Sequence, residues 1–201
     1  MAPGLTSACA GADSAPDGNL RVIESAFVEV LPPAGPVQPE TVLGEVTRYV
    51  DETAGVALLY PAAWSLLDVD PAAKEESVVY AVSFHSWEPS GPGQDGIPEG
   101  ATKFDLVVIS DTRATSLDEA IAERRAQMAE AEMGPQEILA EQHVSLGNGL
   151  EAVRWLIESR GEQALVYLTY QNERRIMISG LGDFQLIDAI AQTLETVPSD
   201  D

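Results

Sequence analysis

Gly55-Val-Ala-Leu-Leu-Tyr-Pro-Ala-Ala-Trp64 is the stretch of sequence that decides the fold. Every residue from Val56 to Tyr60 is apolar or aromatic, as is typical of a strand that is covered on both faces. Because proline lacks the N–H that a central strand needs for its next ladder bond, Pro61 predicts the end of this strand. A tryptophan just after a strand end, here Trp64, commonly packs as a lid on the core. The stretch therefore predicts a buried strand of a layered domain, and it indicates no reaction.

Further strands follow this one along the chain. Alternating or continuous apolar runs predict strands at 78–87, 104–110, 138–146, 150–159, 163–170 and 174–180. Between 146 and 150, the Asn148-Gly149 pair favours a two-residue turn, since both residues accept a positive φ. Gly161 and Asn172 mark the next two turns. The region 138–180 therefore reads as an antiparallel meander.

The strands of this meander carry apolar residues on both faces. On 150–159, Val153, Trp155 and Ile157 share one face. On 163–170, two apolar pairs point in opposite directions, Leu165 with Tyr167 and Val166 with Leu168. A sheet of this kind needs cover on each side.

Two helices are available to provide that cover. Ser116-Leu-Asp-Glu119 is a capping box, in which the Ser116 hydroxyl accepts from the Glu119 amide and the Glu119 carboxylate reaches back. The following stripe of Leu117, Ala120, Ile121, Met128 and Ala131 ends at Gly134-Pro135. A closing helix over 183–197 begins at the N-cap Asp183 and carries apolar residues at helical spacing before Pro198.

The N-terminal region differs from the rest of the chain. Residues 1–19 predict a flexible tether, because they are small and polar. Residues 20–50 predict an N-terminal extension with strands at 21–31 and 41–50, separated by a proline-rich break. The main domain is then expected over 51–198.

The chain is strongly acidic. Its 33 acidic and 11 basic residues give a formal net charge of −22. Such a charge argues strongly against a nucleic-acid backbone as partner and disfavours direct adhesion to an anionic membrane. The acidic residues form either an ordinary solvated surface or a functional face for cations or a basic partner. No stretch reaches the roughly 20 apolar residues of a membrane span, so the chain as it stands is expected to be soluble.

Cys9 is the single cysteine of the chain, so an intramolecular disulfide is excluded. It lies in Leu5-Thr-Ser-Ala-Cys9-Ala-Gly11, which resembles the lipobox of bacterial lipoproteins, where small residues precede a cysteine that receives a diacylglycerol. The resemblance implies lipidation at Cys9 and an extracytoplasmic protein that is anchored to a membrane by this lipid. The alternative is an incidental N-terminal cysteine.

No catalytic or metal-binding motif is visible. His85 and His143 are the only histidines, and neither stands in a nucleophile motif such as Gly-x-Ser-x-Gly. The acidic loop at Asp68-Val-Asp70 with Glu75-Glu76 lacks the glycine and the terminal glutamate of an EF-hand. We therefore expect no enzyme, no catalytic residue, no metal and no cofactor.

The order of elements and three motifs point to a known family. The motifs are Gly55 with Tyr60-Pro61 and Trp64, the hairpin Gly147-Asn-Gly-Leu-Glu-Ala-Val-Arg154, and the closing helix over 183–197. Together they resemble the PsbP-like superfamily, and in particular its bacterial branch of extracytoplasmic lipoproteins of unknown role. The resemblance implies an α+β fold, namely an α/β/α sandwich with a central antiparallel sheet flanked by two helices. It also implies a non-enzymatic role in binding or assembly.

Three classes of function remain open. The first is an envelope protein that binds or assembles another protein, with the membrane contacted only through the lipid on Cys9. The second is a carrier of a small molecule or a cation, and the third is an enzyme. Candidate residues for a ligand or partner surface are Trp87, His85 and Trp64. The loop over 88–101 is either part of such a site or a tolerated surface segment.

Overall fold

The computed structural model of the protein describes residues 38–68, 78–89, 96–110, 113–130 and 136–198. Its helices are α1 Pro39–Leu43, α2 Leu117–Ala129 and α3 Phe184–Ala191. Its strands are β1 Val46–Asp51, β2 Val56–Pro61, β3 Ser65–Asp68, β4 Val78–His85, β5 Lys103–Ser110, β6 Glu137–Ser145, β7 Glu151–Ser159, β8 Glu162–Gln171, β9 Arg174–Leu181 and β10 Glu195–Thr196. No helix among these residues is long and apolar enough to cross a membrane.

Antiparallel sheet dominates the fold. Seven strands form the large sheet in the order β3-β4-β5-β9-β8-β7-β6, and three form a small sheet in the order β1-β2-β10. The predicted meander is confirmed as β6 to β9, and each of its strands begins and ends within one or two residues of the expected position. The predicted strands at 56–60, 78–87 and 104–110 correspond to β2, β4 and β5.

The large sheet separates two apolar cores, as the two-faced strands predict. On one face, Val153, Trp155, Ile157 and Val166 pack with the buried side of α2. On the other face, strand residues from the large sheet pack against β2 and α3, with Phe84 and Phe104 stacked at 4.2 Å between ring centroids. The predicted faces of 150–159 and 163–170 are therefore confirmed, since Leu165 and Tyr167 lie in the core opposite to Val166 and Leu168.

The expected α/β/α sandwich with two flanking helices is only partly correct, because the fold contains more strand than this. One face of the large sheet is covered by α2, whereas the other is covered by the small sheet together with α3 and the short α1. The predicted strand at 41–50 is instead α1 followed by β1, since Pro39 is well suited to the first turn of a helix.

The closing helix over 183–197 is also shorter than predicted. It ends at Ala191, and the chain then forms β10, which pairs with β2. The Thr193 hydroxyl accepts from the backbone N–H of Leu59 at 2.8 Å and donates to the carbonyl of Ile190 at 2.7 Å. These bonds satisfy the helix end and attach it to the small sheet, so the chain no longer needs helical bonds there.

Gly55 has a definite role in the stretch that decides the fold. It adopts φ +70° in the turn between β1 and β2, a conformation that glycine alone adopts without strain. Its carbonyl accepts from the N–H of Val197 at 3.0 Å, just after β10. The glycine thus allows the hairpin to turn and the C-terminal strand to attach beside it.

The capping box of α2 forms with one difference. The Ser116 hydroxyl accepts from the Glu119 N–H at 3.3 Å, as predicted. The Glu119 carboxylate, however, accepts from the backbone N–H of Thr115 at 2.6 Å rather than from Ser116. This bond to Thr115 lowers the pKa of Glu119.

Three sequence predictions lie outside the described residues, namely the tether 1–19, the strand at 21–31 and the helix stop at Gly134-Pro135. The domain boundaries stay predictions.

Candidate functional site

The candidate site lies at one end of the large sheet. Ser65, His85, Lys103 and Leu181 stand side by side in register on the neighbouring strands β3, β4, β5 and β9. His85 is the last residue of β4, and Trp87 follows two positions later. The antiparallel pairing therefore places residues that are distant in sequence in one row across the sheet end.

A cleft of about 480 Å³ opens along this row. Its lining includes His85, Trp87, Ile97, Lys103, Gln163 and Leu181. The volume falls within the range of about 300–1,000 Å³ that is usual for ligand sites. Two of the three residues proposed from the sequence, His85 and Trp87, thus lie together in a concave site.

His85 and Trp87 are in direct contact. Their ring centroids are 4.6 Å apart and their planes meet edge to face. Three buried nitrogens lack a hydrogen-bond partner among the residues that the structure describes. They are both ring nitrogens of His85 and the indole Nε1 of Trp87. A buried polar group without a partner lowers the stability of the folded state by about 1–3 kcal/mol. These nitrogens could therefore form hydrogen bonds that the described residues do not provide.

The surroundings of His85 favour its neutral form. His85 as a whole residue is only 7% exposed, and this burial is the main cause that lowers its pKa below the ordinary value. The positive charge of Lys103 lowers it further, and the negative charge of Asp105 partly opposes this. A neutral imidazole offers one donor and one acceptor to a ligand.

The positive charge of Lys103 is offset by an ion pair with a neighbouring carboxylate. Its ammonium lies 3.2 Å from the Asp105 carboxylate, and that carboxylate also accepts from the hydroxyl of Ser83. Both charged side chains are about one-third exposed, at 28% and 34%. The floor of the cleft therefore carries no large excess of positive charge.

Trp64 and His143 lie apart from this cleft. Trp64 packs on Phe104 at 6.0 Å between centroids, on the opposite face of the sheet from Lys103. His143 lies on the distant edge strand β6 with its side chain 61% exposed, 3.8 Å from Glu141. The structure does not bring the two histidines together, and Trp64 belongs to the layer between the two sheets.

Cys9 and most of the acidic loop near Asp70 lie outside the described residues. Asp68, the described part of that loop, accepts from the hydroxyl of Tyr80 at 3.1 Å. Within the described ranges, no group of three or more His, Cys, Asp or Glu side chains is placed to hold a metal ion.

A buried polar network was not anticipated from the sequence. Arg154 is fully buried and donates to both carboxylate oxygens of Asp188, at 2.9 and 2.7 Å. The Tyr167 hydroxyl donates to the same carboxylate at 2.6 Å. Two features of the sequence could have indicated this network, namely an arginine within the apolar strand β7 and an aspartate within the apolar stripe of α3. Buried charges need a partner, so each of these residues predicts the other. The network joins β7 and β8 to α3.

The fold is PsbP-like. The solution structure of cyanobacterial PsbP (CyanoP) from Synechocystis sp. PCC 6803 superposes with a TM-score of 0.52 at 14% sequence identity, over 75% of this chain and 92% of that one. This likeness confirms the fold that the sequence motifs predict. No protein-family model matches the chain, and no curated protein is similar to it in sequence.

Two other solved structures are more distant. A crystal structure from Bacteroides thetaiotaomicron VPI-5482 has a TM-score of 0.45 at 13% identity, over 77% of this chain and 49% of that one. A Pseudomonas aeruginosa protein of unknown function has a TM-score of 0.38 at 15% identity, over 71% and 87% of the two chains.

Proposed function

We propose that this protein is a non-enzymatic binding protein of the bacterial cell envelope, anchored by a lipid on Cys9, and that it binds a partner protein in the His85–Trp87 cleft. The anchor is supported by the small residues before Cys9 and by the polar segment after it. The binding role is supported by the cleft and by the PsbP-like fold.

The observation that carries the proposal is the set of unused nitrogens in the cleft. Native proteins pair nearly all buried polar groups, and exceptions call for a reason. A partner that supplies an acceptor to Trp87 and a donor or acceptor to His85 removes, on binding, the free-energy cost of leaving these buried groups unpaired.

Mass spectrometry of the N-terminus of the native protein tests the anchor. We expect a diacylglycerol on Cys9 and recovery of the protein in the membrane fraction. The Cys9→Ser variant, which keeps the rest of the tether, should be released from that fraction. A native protein that begins with unmodified Met1 contradicts the anchor.

Site-specific crosslinking in intact cells tests the partner. A photoreactive phenylalanine analogue at Gln163 lies in the cleft, whereas the same analogue at Asn148 lies in the β6–β7 turn at the opposite end of the sheet. We expect one discrete protein adduct from position 163 and none of the same mass from position 148. Equal adducts from both positions, or none from position 163, contradict the proposed surface.

A small-molecule carrier is the second candidate, because the volume of the cleft suits a ligand of that size. Native mass spectrometry of gently purified protein distinguishes the two. A bound mass of a few hundred daltons that disappears in Trp87→Phe supports the carrier instead of the protein partner.

A further inference from the structure

The shape of the cleft sets the length of what it holds. It extends from His85 on β4, past Lys103 on β5 and Leu181 on β9, to Gln163 near the start of β8. These four strands are consecutive in the sheet, so the cleft crosses three inter-strand spacings of about 4.8 Å, or about 14 Å. An extended chain rises about 3.3 Å per residue, so about four residues fill this length.

The lining suits a peptide backbone. The indole of Trp87 is a donor only, whereas neutral His85 has one donor and one acceptor. A peptide offers both kinds of group in alternation, as carbonyls and N–H groups. Between the polar ends, Ile97 and Leu181 give an apolar surface against which alternate side chains can pack.

The charges favour a basic segment. Lys103 is engaged with Asp105 at 3.2 Å, so the floor does not attract anions strongly. The exposed Glu162 stands at the far end of the cleft, and the chain as a whole carries a net charge of −22. Such a field accelerates the approach of a cationic partner and repels an anionic one.

We propose that the His85–Trp87 cleft binds an extended, basic segment of about four residues from a partner protein. The inference rests on the proposed function and specifies the chemistry of the partner at the same site. In the proposed complex the segment lies across the sheet end toward Glu162, and the Trp87 ring turns outward so that its Nε1–H, buried in the free protein, donates to a carbonyl of the segment.

Calorimetric titration with two synthetic peptides tests this proposal. One is a blocked hexapeptide that alternates lysine with leucine, and the other alternates glutamate with leucine. We expect the lysine peptide to bind at least tenfold more tightly, and its affinity to fall as salt screens the charges. Trp87→Phe should weaken the lysine peptide about tenfold through loss of one hydrogen bond. Trp64→Phe, a tryptophan on the other face of the sheet, should leave its affinity unchanged.

Glu162→Lys provides an independent test, because this side chain is exposed and lies outside both apolar cores. We expect about fivefold weaker binding of the lysine peptide at low salt. Equal binding of the two peptides, or affinity unaffected by both Trp87→Phe and Glu162→Lys, overturns the proposal. If the peptide titrations fail in this way while crosslinking from Gln163 still captures an envelope protein, the titrations reject only the basic segment. The proposed function then stands.

Discussion

Arg154, Asp188 and Tyr167 show how a single buried charge constrains this fold. Arg154 is 0% exposed, and its guanidinium binds Asp188 through two hydrogen bonds in a fork geometry. Burial and the negative charge of Asp188 raise the pKa of Tyr167, so its hydroxyl stays protonated and donates to that carboxylate. The three groups satisfy one another only while α3 is seated on β7 and β8.

Removal of one partner should be costly. Asp188→Ala leaves the Arg154 charge buried without compensation, and we expect a loss of about 3–5 kcal/mol in the free energy of unfolding. Urea denaturation measures this loss. Arg48→Ala is the matched control, because it breaks an ion pair with Glu195 in which both side chains are 51% exposed. This control should cost under about 1 kcal/mol, and equal losses would contradict the burial argument.

His85 should make stability depend on pH. Its pKa in the folded protein lies below the ordinary value of 6.5, so the unfolded chain binds more protons in mildly acidic solution. The free energy of unfolding should therefore fall as pH drops below about 6.5. His85→Gln should lose less stability between pH 7.5 and pH 5 than the wild type.

Thr47→Gln is the control for this measurement, because it introduces the same amide at an exposed residue that does not titrate. We expect it to keep the wild-type difference between the two pH values. A His85→Gln variant with the full wild-type difference would show that His85 is not held neutral by burial.

At the scale of elements, the apolar pattern was sufficient for the strands and insufficient for the ends of the chain. The two central strands of the meander, β7 and β8, each have five or more alternating or continuous apolar positions, so the faces of their side chains follow from the period of two. By contrast, β10 is two residues long and continues the helical spacing of α3. The pairing of β10 with β2 and the bonds of Thr193 to Leu59 and of Val197 to Gly55 attach this segment to residues that are distant in sequence, so the local pattern does not report them.

The corner between β9 and α3 depends on Gly182. It has φ +104°, and a Cβ placed there would lie 2.4 Å from the carbonyl oxygen of Ala101. We therefore expect Gly182→Ala to cost about 3 kcal/mol, from backbone strain and from the clash with a neighbouring main chain.

Gly149→Ala separates these two contributions. Gly149 also has a positive φ, +84°, but nothing lies within 4 Å of the Cβ position. This variant should cost only about 1 kcal/mol from strain. Thermal or urea unfolding compares the two variants, and equal losses would contradict the close approach at Gly182.

At the scale of the whole molecule, the net charge of −22 should limit stability. Like charges repel one another more in the compact state than in the unfolded chain, and salt screens this repulsion. We expect the melting temperature to rise as sodium chloride increases from about 10 mM to about 150 mM, where the Debye length falls to about 8 Å. A melting temperature that falls over this range would show that attractive ion pairs outweigh the repulsion.

The site could be predicted only in part. The sequence motifs led to the PsbP-like fold, and His85 and Trp87 were candidates for a ligand or partner surface together with Trp64, which the structure places on the other face of the sheet. The cleft itself needs Leu181 and Gln163, which are distant in sequence and reach it through strand order. That order, β4-β5-β9-β8, cannot be derived from apolar period, since all four strands have similar patterns.

The central claim is that the His85–Trp87 cleft is where this protein binds its partner. Crosslinking from Gln163 in intact cells, repeated in Trp87→Phe and Trp64→Phe backgrounds, tests it most directly. The account predicts an adduct whose yield falls with Trp87→Phe and is kept with Trp64→Phe. An adduct of wild-type yield in the Trp87→Phe background would contradict it.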